Sequence, residues 1–199
     1  MLNKGLLGQL IQTLCCLPGV GPKSAQRMAF YLLQRDRQGA QRLSNTLLTA
    51  LEKIQHCQHC RTLTELTVCE ICASSSRDQS LLCVVETPSD AWVVEQAAFF
   101  KGVYFILHGR LSPLDGIGPD ELGLDLLEQR FAAGSIKEII LATNSTVEGE
   151  ATAYYISHLA KKYQLQASRI AQGVPIGGEL EFIDSGTLSQ AFMGRKNLD

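Results

Sequence analysis

Four of the seven cysteines fall in one short window, spaced Cys57-x2-Cys60-x8-Cys69-x2-Cys72. In a Cys-x2-Cys pair the two thiolates converge on one point, and the turn amides stay free to hydrogen-bond the sulfurs. Two such pairs offer four soft ligands. Four thiolates at about 2.3 Å close a tetrahedral shell around zinc and leave no position open to a substrate. The spacing therefore implies one structural zinc ion per chain. The competing readings are four unrelated buried cysteines or a redox pair; paired Cys-x2-Cys without a secretory leader favours the metal. The eight-residue spacer is long enough for a small hairpin. His56 and His59 flank the ligands and are expected to be exposed neighbours, because the thiolates already fill the shell. A segment this poor in large apolar residues should depend on the ion for its fold. Cys15, Cys16 and Cys83 lie on apolar segments and are expected in the core. An odd cysteine count argues against a disulfide framework.

A second constellation is Leu17-Pro18-Gly19-Val20-Gly21-Pro22-Lys23. Two glycines and two prolines within six residues demand a tight turn. Glycine permits positive φ and lets the backbone come close to a ligand. Pro22 suits the first position of a following helix. The turn amides and that helix N-terminus can meet a phosphate oxygen. Lys23 and Arg27, four residues apart, share one helix face. Together Gly19, Gly21, Lys23 and Arg27 form a sequence-independent grip on a nucleic-acid backbone. An ordinary helix hairpin with solvated charges is the alternative. It has to explain why residues 1–50 carry six Lys+Arg, from Lys4 to Arg42, against Asp36 alone. Gly21-Pro22-Lys23-Ser24 is not a phosphate loop: Cys16 stands where the first glycine belongs, and a helix precedes it instead of a strand.

The third constellation is acidic. Glu86 ends an apolar strand, and Asn144-Ser145-Thr146-Val147-Glu148-Gly149-Glu150 follows another. Ligands of open α/β sheets bind beyond the carboxyl ends of strands, where these residues fall. Charge is divided along the chain in the same sense. Residues 1–79 carry nine Lys+Arg against five Asp+Glu, and residues 80–199 nine against fifteen. A basic front and an acidic back suggest two tasks on one chain.

The elements that must position these groups follow from periodicity. Helices are predicted at 6–16, 22–34 and 39–54 from apolar residues at helical spacing. Residues 55–79 read as the metal-stapled module and a linker containing Ser74-Ser75-Ser76. From residue 80, strands at 81–85, 103–107, 138–142 and 167–171 alternate with helices at 89–100, 120–133 and 147–163. That order implies an α/β unit with a mostly parallel sheet. A Gly/Pro-rich loop covers 109–119, Leu180–Ile183 is expected to be one more strand, and 187–193 a last short helix. With 199 residues, 45% hydrophobic and 19% charged, the chain can bury a core, which excludes disordered or collagen-like classes. No apolar run approaches the roughly 18 residues of a membrane helix. The amino terminus lacks the pattern of a signal peptide, so a cytoplasmic location without membrane attachment is expected.

The α/β unit resembles the Toprim domain of topoisomerases and primases. In catalytic members one strand ends in glutamate, and a later one runs into D-x-D followed by E-G-E. Glu86 and Glu148-Gly149-Glu150 match, but Asn144 and Thr146 stand in the aspartate positions. Magnesium usually requires carboxylates, so the unit is read as a degenerate Toprim domain without catalytic residues. Taken in order, the chain resembles the RecR family of bacterial recombination mediators. The likeness rests on the Leu17–Lys23 turn, the four cysteines, Leu111–Pro119, the degenerate Toprim unit and Gly173–Glu181. It implies an α/β multi-domain fold: a helix–hairpin–helix domain over 1–54, a C4-type zinc finger over 55–79, a Toprim domain over 80–176 and a C-terminal segment over 177–199. It further implies a non-enzymatic DNA-repair protein that works with RecO and RecF. Such a protein helps place RecA on single-stranded DNA coated by single-strand-binding protein. Its DNA partners are single-stranded, gapped and double-stranded, and it forms a homodimer or homotetramer ring. Glu86, Glu148 and Glu150 would form an acidic surface that receives a basic partner such as RecO. A magnesium-dependent phosphoryl-transfer enzyme using Glu86 and Glu148 is the rival function. Leu180–Asp184 faintly resembles a Walker B strand, which would imply nucleotide binding; the alternative is a strand ending in an ordinary turn, and with the C-terminal helix it could instead form an intersubunit contact.

Overall fold

The computed structural model describes residues 5–195; Lys4, one of the basic residues of the front, lies outside them. The chain divides into two compact units between Ile54 and Gln55.

The first unit holds three helices, α1 (Leu6–Leu14), α2 (Pro22–Gln34) and α3 (Arg37–Lys53). Helix α2 begins where proline is best tolerated, with Pro22 in its first turn and Gly21 as its N-cap. Its Ala25 and Ala29 are fully buried. Side chains this small let α1 pack closely on α2. Asp36 caps α3 by accepting a hydrogen bond from the Gly39 amide at 2.7 Å. No residue of α3 is buried: Leu47, Leu48 and Leu51 face outward. Cys16 is also exposed and Cys15 half-buried, contrary to the core placement expected for both. They follow the last residue of α1 and belong to the turn, not to its apolar face.

The second unit starts with the cysteine module. A two-stranded antiparallel hairpin pairs β1 (Gln55–His56) with β2 (Leu63–Thr64). This hairpin encloses the first cysteine pair, and its second strand lies in the eight-residue spacer. A single helical turn, α4 (Glu70–Ala73), carries the last ligand. The linker is shorter than expected, because β3 (Asp78–Val85) begins at once and the Asp78 amide bonds the Lys101 carbonyl at 2.8 Å.

Next come α5 (Pro88–Gln96), β4 (Gly102–Ile106), α6 (Leu124–Ala132), β5 (Glu138–Ala142), α7 (Val147–Lys162) and β6 (Gln166–Arg169). The four strands form a parallel sheet in the order β4-β3-β5-β6. Successive residues of a strand point to opposite faces, and both faces are covered. Leu82 and Val84 belong to one cluster with Phe105, Leu127, Phe131, Ile139 and Ile156, under α6 and α7. Cys83 and Val85 belong to the other, with Ala91, Phe100, Ile106 and all four cysteines of the module. Burial on both sides explains the unbroken apolar runs of β3 and β4. The module thus fills core space on one face of the sheet.

The remainder is a loop, a short 3-10 turn at Leu180–Phe182 and α8 (Ser185–Met193). The strand expected at Leu180–Ile183 does not form. The segment finds no strand to pair with, and Leu180 and Phe182 are exposed. Asp184 accepts hydrogen bonds from the Thr187 amide at 2.9 Å and its hydroxyl at 2.7 Å. It is a helix cap, so the likeness to a Walker B strand is withdrawn. No helix among the described residues is long and apolar enough to cross a membrane.

Candidate metal centre and nucleic-acid interface

Cys57, Cys60, Cys69 and Cys72 converge with all four sulfurs within 4.8 Å of one another, every residue buried. The Cys60 and Cys69 sulfurs stand 3.5 Å apart. A tetrahedral Zn–S shell with bonds of about 2.3 Å needs sulfur separations of roughly 3.8 Å, so small adjustments admit one zinc ion. The Cys69 amide donates to the Cys57 sulfur at 3.3 Å, the support that a thiolate ligand needs. Hydrogen bonding with Cys72 draws the Cys60 thiol down to about 5, even though burial opposes it. The same contact, together with burial, pushes Cys72 far up. Burial raises Cys69 to about 11. Four thiolates crowded in an apolar pocket cannot all ionise alone; a divalent cation lets them do so.

The module is fastened to the sheet by donors that its motif did not reveal. The Ile106 amide bonds the Cys60 carbonyl at 2.9 Å. Arg61, held at φ 65°, sends its guanidinium to the Leu122 carbonyl and lies over the Phe105 ring, 5.5 Å from its centroid. Arg130 bonds the carbonyls of His59 and Tyr104 at 3.1 and 2.8 Å. His56 stacks on His108, with centroids 4.8 Å apart. Single cations in otherwise ordinary stretches carry no spacing signal, so nothing in the sequence singles out Arg61 or Arg130.

In the first unit the turn closes with the Val20 amide on the Leu17 carbonyl at 3.1 Å. Gly19 takes φ +76°, a region costly for any residue with a Cβ. Gly21 has φ −85°, and a Cβ there would meet nothing within 4 Å. Nothing inside the chain therefore calls for glycine at position 21. Lys23 and Arg27 are exposed one helical turn apart, and neither joins the ion pairs found among the described residues. Arg27 also borders an apolar groove of about 450 Å³ with Leu14, Leu17, Met28, Tyr31, Leu32 and Leu43.

The three acids do not gather on one surface. Glu86 is 3% exposed. It accepts hydrogen bonds from the Asn144 amide at 2.9 Å and the Asn144 side chain at 2.7 Å, and Arg110 stands 4.0 Å away. The expectation that Glu86 presents itself to a partner is corrected: its charge is spent holding the loop after β5. Glu150 is exposed but engaged by Arg169 at 2.7 Å and Gln172 at 2.9 Å. Glu148, half-buried, lies in the first turn of α7, capped by Thr146. Gly149 completes the corner, because a Cβ there would come within 2.1 Å of the Asn144 carbonyl oxygen and 3.0 Å of a Glu86 oxygen. Where a catalytic Toprim site would need a second carboxylate to hold a cation, Asn144 supplies an N–H donor to Glu86. Among the described residues the four cysteines are the only cluster suited to a metal ion.

Comparison with known proteins agrees with this division. Family models match in chain order: RecR helix-hairpin-helix over residues 7–51, the RecR four-cysteine zinc finger domain over 54–74, the Toprim domain over 80–171 and the RecR C-terminal segment over 173–196. A recombination protein RecR of Methylococcus capsulatus is 57% identical over 99% of this chain and 100% of its own length. One of Xanthomonas oryzae pv. oryzae is 58% identical over 97% of this chain and 98% of its own. One of Xylella fastidiosa is 59% identical over 94% of each. With its zinc module, its Toprim sheet and a likeness that runs nearly end to end, the chain belongs to the RecR family of recombination proteins.

Proposed function

We propose that the chain is a non-catalytic DNA-binding mediator of recombinational repair in the cytoplasm. It works with RecO and RecF to load RecA onto single-stranded or gapped DNA coated by single-strand-binding protein. The observation that carries the DNA contact is the turn at 17–23. Gly21 leaves open backbone without any internal need for glycine, directly before a helix N-terminus with Lys23 and Arg27 exposed beside it. Such an arrangement meets phosphate oxygens without reading bases. Duplex, single-stranded and gapped DNA share those oxygens, so all are ligands.

The zinc ion keeps the module in the core of the second unit. A homodimer or homotetramer ring would bring several such turns to one DNA molecule. Glu148 and Glu150, without Glu86, are the acids left to receive a basic partner such as RecO. The functional boundaries follow the helix–hairpin–helix domain over 1–54, the finger over 55–79, the Toprim domain over 80–176 and the C-terminal segment beyond.

The test is RecA filament assembly on gapped DNA coated with single-strand-binding protein, with RecO present. The full chain should shorten the lag, and Lys23→Ala with Arg27→Ala should abolish that effect. A wild-type lag in the double variant would remove the turn from the mechanism. Magnesium- or manganese-dependent nicking that disappears in Glu148→Ala would establish the rival phosphoryl-transfer reading.

A further inference from the structure

The zinc centre has an unanswered charge. One Zn2+ and four thiolates together carry two negative charges, enclosed here in an apolar cluster beside β4. Burying uncompensated charge is costly, and a nearby cation offsets that cost. Two guanidinium groups enter the region. Arg61 is taken up by the Leu122 carbonyl and the Phe105 ring. Arg130 makes no ion pair with a carboxylate among the described residues.

Arg130 reaches from the last turn of α6 and donates through one nitrogen to two carbonyls. One belongs to His59, between the first two cysteine ligands; the other belongs to Tyr104 in the middle of β4. Burial pushes its guanidinium below the usual value, and the negative charge of Cys72, Cys60 and Cys57 works against that.

We propose that Arg130 is a positioning residue of the zinc centre: its positive charge balances the tetrathiolate and its hydrogen bonds fix the Cys57–Cys60 turn against β4. Zinc affinity in the finger then depends on a residue of the Toprim sheet unit, and by linkage α6 senses whether zinc is bound. Outer-shell partners of this kind are worth roughly 10–100-fold in metal affinity.

Zinc-loaded full-length protein is titrated with a colorimetric chelator at fixed pH, comparing the parent with Arg130→Gln and Arg130→Lys. Glutamine keeps N–H donors without charge, and lysine keeps charge with a simpler head. Arg130→Gln should weaken zinc binding at least about tenfold, while Arg130→Lys stays within about threefold of the parent. Parent-like affinity in Arg130→Gln overturns the proposal, as does equal weakening in both variants. Should Arg130→Gln fail to fold, hydrogen exchange on the unmodified protein decides. Zinc removal should deprotect the last turn of α6 and leave α7 unchanged; equal protection of α6 with and without zinc refutes the linkage.

Discussion

Asn144→Asp is the most informative single change in the Toprim corner. It replaces an N–H donor 2.7 Å from a Glu86 oxygen with a second carboxylate, and Glu86 is 3% exposed. Two unit charges about 3 Å apart repel by about 5 kcal/mol at an effective dielectric constant of roughly 20. The lost hydrogen bond to a charged group contributes roughly 1.5–3 kcal/mol of its own. Uptake of one proton by the pair relieves most of the repulsion. The expected loss at about pH 8 is therefore between about 2 and about 7 kcal/mol, the lower figure applying when the pair holds a proton. Far-UV circular dichroism during urea unfolding follows the sheet and helices of this unit. The urea midpoint of Asn144→Asp should fall at about pH 8, recover partly at about pH 5, and recover again at the higher pH with millimolar manganese. Asn144→Ala, which adds no charge, should show neither recovery. An Asn144→Asp midpoint equal to the parent's under alkaline, metal-free conditions would refute the idea that Asn144 occupies the place of a cation.

Two further outcomes follow from side chains elsewhere. In zinc-loaded protein a thiol reagent should modify exposed Cys16 first and leave Cys83 untouched, since burial pushes that thiol up to about 12. Chelation should then release Cys57, Cys60, Cys69 and Cys72 to the reagent; mass spectrometry counts the adducts, and full labelling of the four before chelation would contradict a closed site. Burial lifts the Glu95 carboxyl, but hydrogen bonds from Arg77 at 2.9 Å and Tyr104 at 2.6 Å outweigh it and hold the group below the ordinary range. A depressed carboxylate contributes stability that is present above its unfolded value of about 4.3 and is lost as pH falls through the folded value. Thermal melts of Glu95→Gln should accordingly lose less stability than the parent below about pH 4, and identical acid limbs would count against the pairing.

Periodicity and punctuation made much of this architecture legible. Pro22 and the apolar spacing behind it bracket α2, and the Glu138–Ala142 run is β5. The four cysteines could be read as a closed site because a metal shell depends on spacing over a few residues. Long-range partnership left no such trace. Leu180–Ile183 has a strand's apolar content, yet Leu180–Phe182 folds as a single 3-10 turn that leads into α8, capped by Asp184. Glu86 is a charged residue at a strand end, a place that usually faces solvent; only the folded loop brings Asn144 over it. Arg61 and Arg130 bond carbonyls 61 and 71 residues away, a separation that no local pattern encodes.

The salt dependence of DNA binding bears most directly on how this chain works. Fluorescence anisotropy with labelled single-stranded and duplex DNA, repeated across a range of potassium chloride, yields the slope of log affinity against log salt for the parent and for Lys23→Ala with Arg27→Ala. Each phosphate contact contributes about 0.7 to that slope on a single strand and about 0.9 on a duplex. Loss of both cations should flatten it by about 1.4 and about 1.8 respectively. Parallel lines for parent and double variant would show that DNA is held somewhere other than the amino-terminal turn.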